Sequence, residues 1–268
     1  SLNLRSNRSA AVRLAAAILG LCAVAFAYSA AQAPPASLAG PVRTVVVLDP
    51  AHGGSDTGAR LADQGGVEKD VTLAFAAKLR PALTAAGFSV VATRDADLAN
   101  PLTTDQRAEM ANRPRALACL VLHATSAGTG VHVYASPVQP SVPVVYDPDV
   151  KPAFQPTPWD EAQADAVRQS LKLQEYVHSA LTAAKLPVLR GRASVPPLDN
   201  LTCPAIAVEI APLGAPGEAR TGVSDAGYQQ RIADAVVAAM KSWRDDPAAH
   251  PASSVAPSRP ASAAGARP

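Results

Sequence analysis

Aromatic side chains are scarce, at 4% of 268 residues. That scarcity excludes a nucleic-acid module that stacks bases on aromatic rings. Charge is also thin, at 17% of residues, and the net is +2. Arg5, Arg8 and Arg13 fall within residues 1–33, and Arg259 and Arg267 within 247–268; neither segment holds an acid. Removing those three and these two from +2 leaves −3 for the middle. A mildly acidic middle has no electrostatic footprint for nucleic acid. No apolar run reaches the ~20 residues of a membrane span. The nearest, Leu14 to Tyr28, is too short. There is no internal repeat, and no G-x-S-x-G nucleophile elbow, which removes a serine esterase. Cysteine is rare, at three residues.

What is present organises the chain. Three arginines, the apolar run and then Ala31-Gln32-Ala33 follow the order of a secretory signal, so residues 1–33 are expected to direct export. After its removal no stable membrane insertion is expected. A Pro/Ala/Gly linker covers 34–42. Residues 245–268, nearly all Pro, Ala and Ser from 247 on, are expected to form a disordered tail. The folded unit is then 43–244. Cys22 lies in the export segment. Cys119 and Cys203 sit in or beside apolar runs, which favours buried thiols, although an oxidising compartment permits a disulfide.

Inside 43–244, strands and helices alternate. Thr44–Leu48, Phe88–Ala92, Ala118–Leu122 and Val131–Tyr134 read as strands, and Pro204–Val208 leads into Glu209. Val71, Phe75, Leu79 and Leu83 mark one helical face, ended at Gly87, with Pro81 expected to kink it. Thr103 to Gln106 is a capping box opening a short helix. A long helix is expected from Thr157-Pro158, with Val167, Leu171, Val177 and Leu181 as its stripe. Tyr228, Ile232, Val236 and Met240 mark a last one. Residues 137–158 hold seven prolines and read as a surface loop that shapes the substrate groove. The pattern predicts an α/β fold: three layers, a largely parallel mixed sheet, and helices on both faces. Ligands bind such sheets beyond the carboxyl ends of strands.

Metal-ligand residue types stand at those ends. Val45–Leu48 runs into Asp49-Pro50-Ala51-His52-Gly53-Gly54, Cys119–Leu122 into His123, and Ile206–Val208 into Glu209. Glu68 ends the glycine-containing loop after His52. Two histidines and a carboxylate suit zinc with one position open to water, and a further carboxylate suits a general acid/base. Each residue alone also has an ordinary structural reading: a cap, a dipole partner, a core histidine, an ion pair. His132, His178 and His250 read as solvent-facing or structural.

The stretch from Val46 through His52-Gly-Gly-Ser-Asp-Thr-Gly-Ala59, with Glu68-Lys-Asp-Val-Thr-Leu73, resembles the zinc-dependent N-acetylmuramoyl-L-alanine amidases of bacterial cell walls. The resemblance continues through Leu83 to Arg94, Arg107 to Asn112, Leu120 to Ala124, Gly130 to Tyr134 and Pro204 to Glu209. It implies that His52, Glu68 and His123 bind Zn2+ and that Glu209 is the catalytic residue. Asp49 and Asp56 would order the loop. The implied reaction is hydrolysis of the amide between N-acetylmuramic acid and L-alanine, with peptidoglycan as partner, in the periplasm or outside the cell; an activator protein is not specified. Ala51, Thr125 and the Ile-Ala-Pro-Leu-Gly run after Glu209 depart from the family's usual residues, on the substrate side rather than at the metal. A zinc peptidase of other specificity, or a non-catalytic cell-wall binding protein on the same fold, are the alternatives.

Overall fold

The computed structural model describes residues 44–61, 66–140, 158–214 and 219–249. Residues 1–33, expected to direct export, the whole expected linker 34–42, the segment 141–157 of the proline-rich loop and the tail beyond 249 lie outside the described residues, as does His250. Among the described residues no helix is long and apolar enough to cross a membrane.

Six strands form one sheet: β1 (Val45–Pro50), β4 (Ser89–Ala92), β5 (Ala118–Ala124), β6 (Val131–Ala135), β7 (Val188–Arg192) and β8 (Ala205–Ile210). Their order is β4-β1-β5-β8-β6-β7. All neighbours are parallel except β6 and β8, which run antiparallel. Two short strands, β2 (Arg60–Leu61) and β3 (Gly66–Val67), pair separately. The helices are α1 (Glu68–Ala85), α2 (Thr104–Asn112), α3 (Val167–Ala183) and α4 (Ala226–Asp245). This is the expected three-layer, largely parallel arrangement.

The central strands are continuous apolar runs because both their faces are covered. One face carries Val46, Leu48, Leu120, Leu122 and Val208, which pack with Phe75 and Leu79 of α1, Leu173 and Val177 of α3, and Ile232, Met240 and Trp243 of α4. The other carries Val47, Cys119, Val121, Ala205 and Ala207, packed with Ala108 and Ala111 of α2 and with Leu198 and Leu201. That second layer is thin and built from small residues. By the two-residue strand period, His123, Glu209 and His132 all point to this thinner side.

The expected capping box is present: Thr103 and Gln106 exchange both of its bonds. Asp225, which the sequence did not single out, accepts from Tyr228 N to open α4. Helix α1 runs unbroken through Pro81. Pro81 and Ala77, whose carbonyl it leaves unpaired, are both solvent-exposed, so water can take the lost bond.

Three features differ from expectation. The long helix starts at Val167, not near 157, and follows a 3-10 helix over Trp159–Asp165. The cause is Gln163, which is fully buried. Its amide donates to the carbonyls of Leu201 and Cys203 and accepts from Ser170 Oγ, tying this turn to the approach of β8. Strand β7 has no apolar signature in the sequence because it is an exposed edge. Finally, Cys119 and Cys203 form a disulfide rather than two thiols. Cys119 pairs with Ala205 in the β5–β8 register, which leaves Cys203 diagonal to it at a Cα separation of 6.2 Å, within bridging range.

That bond closes a sequence separation of 84 residues, long enough for about 2–4 kcal/mol of stabilisation. Replacing both cysteines by alanine is expected to lower the urea midpoint accordingly. An unchanged midpoint would show that the bond contributes nothing to stability.

Candidate active site

The site begins where β1 ends. Its chain turns through His52, whose φ is +64°, a left-handed conformation costing a non-glycine residue about 1 kcal/mol or more. Two buried arginines hold it there. Arg107 donates to Asp49 Oδ1 at 2.7 Å, to the Pro50 carbonyl at 2.9 Å and to the His52 carbonyl at 2.6 Å. Arg94 donates to the carbonyls of Pro50, Ala51 and Lys69. With Arg94 3% and Arg107 6% exposed, these carbonyls act as the counter-dipoles that make burial of two guanidiniums tolerable. Asp49 thereby has a role: it anchors Arg107 and accepts from Thr93 Oγ1. In the sequence both arginines stand only within the stretches of family resemblance, and their clamp on the His52 loop is visible only in three dimensions.

Glu68 opens α1 and is 5% exposed. Each carboxylate oxygen takes one backbone donor and one imidazole. Oε2 accepts from Ala59 N at 3.0 Å and lies 3.1 Å from His52 Nε2. Oε1 accepts from Ala124 N at 3.1 Å and lies 2.8 Å from His123 Nδ1. Burial disfavours the Glu68 charge, but the hydrogen bonds to His123, His52 and Ala59 N outweigh it and hold the carboxyl well below the usual carboxylate range. Hydrogen bonding to Glu68 raises the His52 imidazole above its ordinary value; burial opposes the rise and Asp56 adds to it.

One donor atom each from His52, Glu68 and His123 lies within 4.8 Å of the others. Zinc bonds of 2.0–2.1 Å in a tetrahedron put neighbouring ligand atoms about 3.3 Å apart; His52 Nε2 lies 3.1 Å from one Glu68 oxygen and His123 Nδ1 2.8 Å from the other. The buried Glu68 carboxylate faces both imidazoles, which is the charge a divalent cation needs beside it. His52 Nδ1 is meanwhile 2.9 Å from Asp56 Oδ2, the carboxylate–histidine pairing that orients a ligand imidazole. The donor set fits zinc.

Gly53 and Gly54 take positive φ in the turn, as the sequence suggested. Gly58 is the more telling glycine. Its φ is +63°, and a Cβ there would lie 2.5 Å from His52 Cδ2 and 2.7 Å from Glu68 Oε2. Gly58→Ala must therefore displace two of the three donor residues. Metal retained after dialysis is expected to fall about 10-fold or more, measured by atomic emission; full retention would mean the loop yields without disturbing the donors.

Glu209 is the register partner of His123 on β5 and of His132 on β6. The three side chains form a row across the sheet. Glu209 is not among the clustered donors; its Oε2 lies 2.7 Å from His132 Nδ1. His132 is buried, at 8% exposure. Alternation with Val131 and Val133 revealed its face in the sequence, but not that Glu209 shares that face. His178 is half-buried on α3, remote in sequence and element from this row.

Residues 46–242 match the family described as N-acetylmuramoyl-L-alanine amidase. The chain is 29% identical over 234 residues to N-acetylmuramoyl-L-alanine amidase AmiA of Escherichia coli, covering 78% of this chain and 80% of that protein. It is 36% identical over 97 residues to the amidase AmiC of Neisseria meningitidis, covering 34% of this chain and 23% of that one. The fold is that of the CwlV catalytic domain from Bacillus (Paenibacillus) polymyxa, at TM-score 0.54 and 22% identity over 75% of this chain and 98% of that one. It is equally that of Ami1 from Mycobacterium smegmatis, at TM-score 0.55 and 21% identity over 76% and 99%. One family match thus runs from β1, ahead of the first histidine, into α4, beyond Glu209, and the chain belongs to the N-acetylmuramoyl-L-alanine amidase family.

Proposed function

We propose that this protein is a zinc-dependent amidase that hydrolyses the bond between the lactyl group of N-acetylmuramic acid and L-alanine in peptidoglycan, outside the cytoplasm. The observation that carries this reading is the convergence of His52, Glu68 and His123 at one point, with Glu209 beside His123 in the same row. His52, Glu68 and His123 would hold the zinc. When bound, the ion supplies Lewis acidity, which makes water a nucleophile near neutral pH and polarises a carbonyl.

The remaining work falls to the chain's own groups. Arg94, Arg107 and Asp56 keep the first imidazole oriented. Glu209 takes a proton from the attacking water, then returns it to the amine that leaves, which departs poorly as an anion. Oε1 is the oxygen suited to this, because Oε2 is engaged by His132. The Cys119–Cys203 disulfide supports an oxidising compartment, in keeping with residues 1–33 as an export signal and with a periplasmic or secreted enzyme.

Mass spectrometry of peptidoglycan digested by the zinc-loaded protein tests the assignment. Free stem peptides beginning with L-alanine, together with intact muramic acid chains, are expected. Cleavage within the stem peptide would assign a peptidase instead, and no release would assign a binding protein.

A further inference from the structure

Glu209 has a partner that the reaction does not require. Strand β6 is inserted antiparallel to β8 in a register that sets His132 directly opposite Glu209. The Nδ1···Oε2 distance is 2.7 Å, that of a charge-assisted hydrogen bond. The imidazole lies in a fitted slot. On one side is Gly128, at φ +75°, where a Cβ would fall 2.6 Å from His132 Cε1 and Nε2. On another is the Tyr134 ring, edge-on at 6.2 Å between centroids.

The wall of that slot is held from outside. Arg220 donates to the Gly128 carbonyl, Thr129 Oγ1 accepts from Gly214 N, and Tyr228 OH donates to the Gly130 carbonyl. A glycine, a ring contact and three cross-loop bonds therefore fix the imidazole that meets the Glu209 carboxylate. Glu209 itself is less confined, its side chain being 26% exposed. A glutamate with free torsions would spend much of its time in rotamers that cannot reach the attacking water.

We propose that His132 is a positioning residue for Glu209. It carries its proton on Nδ1, donates it to Oε2, and so fixes the carboxylate rotamer and leaves Oε1 for proton transfer. The proposal rests on Glu209 being the general base. Misplacing a reacting group by about 1 Å can cost about 10²-fold in rate, and the loss belongs in kcat when substrate binding is untouched.

The test uses the zinc-loaded full chain with a soluble muramoyl-peptide, and the metal-free chain for spectroscopy. His132→Leu is expected to lower kcat about 10²-fold, with KM and zinc content unchanged. His132→Asn, whose Nδ2 stands near the place of Nδ1, is expected to restore most of that loss. Long-range 1H–15N spectra of the metal-free wild type are expected to show His132 protonated at Nδ1. Wild-type kcat in His132→Leu, no rescue by asparagine in a folded variant, or a ring protonated only at Nε2 would each overturn the proposal. Glu209→Ala is assayed alongside. Retained activity there would bring down the base assignment itself, whereas an inactive Glu209→Ala with a fully active His132→Leu would bring down only the positioning role.

Discussion

Glu209→Ala is expected to reduce turnover of peptidoglycan by about 10³-fold, within the 10²–10⁴-fold range of general acid–base catalysis, while zinc remains bound at one ion per chain. The separation of the two effects follows from placement. Glu209 stands on β8 in register with His123 but outside the cluster of His52, Glu68 and His123 donors. Removing its carboxylate takes away the proton acceptor and leaves the donors in place. Glu209→Gln is expected to behave the same way, since an amide cannot accept the water's proton at neutral pH. Atomic emission on the purified variants, beside a dye-release assay, reads both quantities. Loss of zinc from Glu209→Ala would make Glu209 a ligand and would overturn its role as base.

Glu68→Gln should do the opposite, losing metal and activity together. The substitution keeps shape and volume but removes the charge that faces two imidazoles. It also mispairs the backbone. In the wild type Oε2 accepts from Ala59 N and Oε1 from Ala124 N. A glutamine must turn its NH2 toward one of these N–H groups, leaving two donors face to face in a buried site. Such an unsatisfied pair costs about 1–3 kcal/mol. Zinc affinity is therefore expected to fall by more than about 10²-fold, beyond the loss of an outer partner. The metal-free variant should also unfold at lower temperature than the metal-free wild type. Competition with a chromophoric chelator and thermal unfolding measure the two effects. Wild-type zinc affinity in Glu68→Gln would remove Glu68 from the ligand set.

Much of the architecture was legible in the chain because the central strands are buried on both faces. Val46–Leu48, Leu120–Leu122 and Ile206–Val208 are continuous apolar runs for that reason, and each is followed by a polar residue at the end of the sheet where ligands bind. His52, Glu68, His123 and Glu209 could be named from that placement and from resemblance. What stayed hidden depends on contacts between distant elements. His132 reads as a strand residue between two valines; only the antiparallel insertion of β6 beside β8 brings it to Glu209. Arg94 and Arg107 carry no local sign that their guanidiniums turn inward onto carbonyls 50 to 52. The cysteine pair depends on the β5–β8 register, which no local pattern encodes. Strand β7 lies at an edge, where Arg190 and Arg192 remain solvated and alternation is lost. The 3-10 turn ahead of α3 exists to seat Gln163 under β8, a demand placed by the tertiary structure on a stretch whose local pattern reads as helix.

The most direct measurement is X-ray diffraction from zinc-loaded crystals on both sides of the zinc absorption edge. One anomalous peak is expected, bounded by His52, Glu68 and His123, with nitrogen and oxygen ligands at about 2.0–2.2 Å and with Glu209 outside the coordination shell. A peak elsewhere, or one coordinated by Glu209 in place of Glu68, would contradict this assignment.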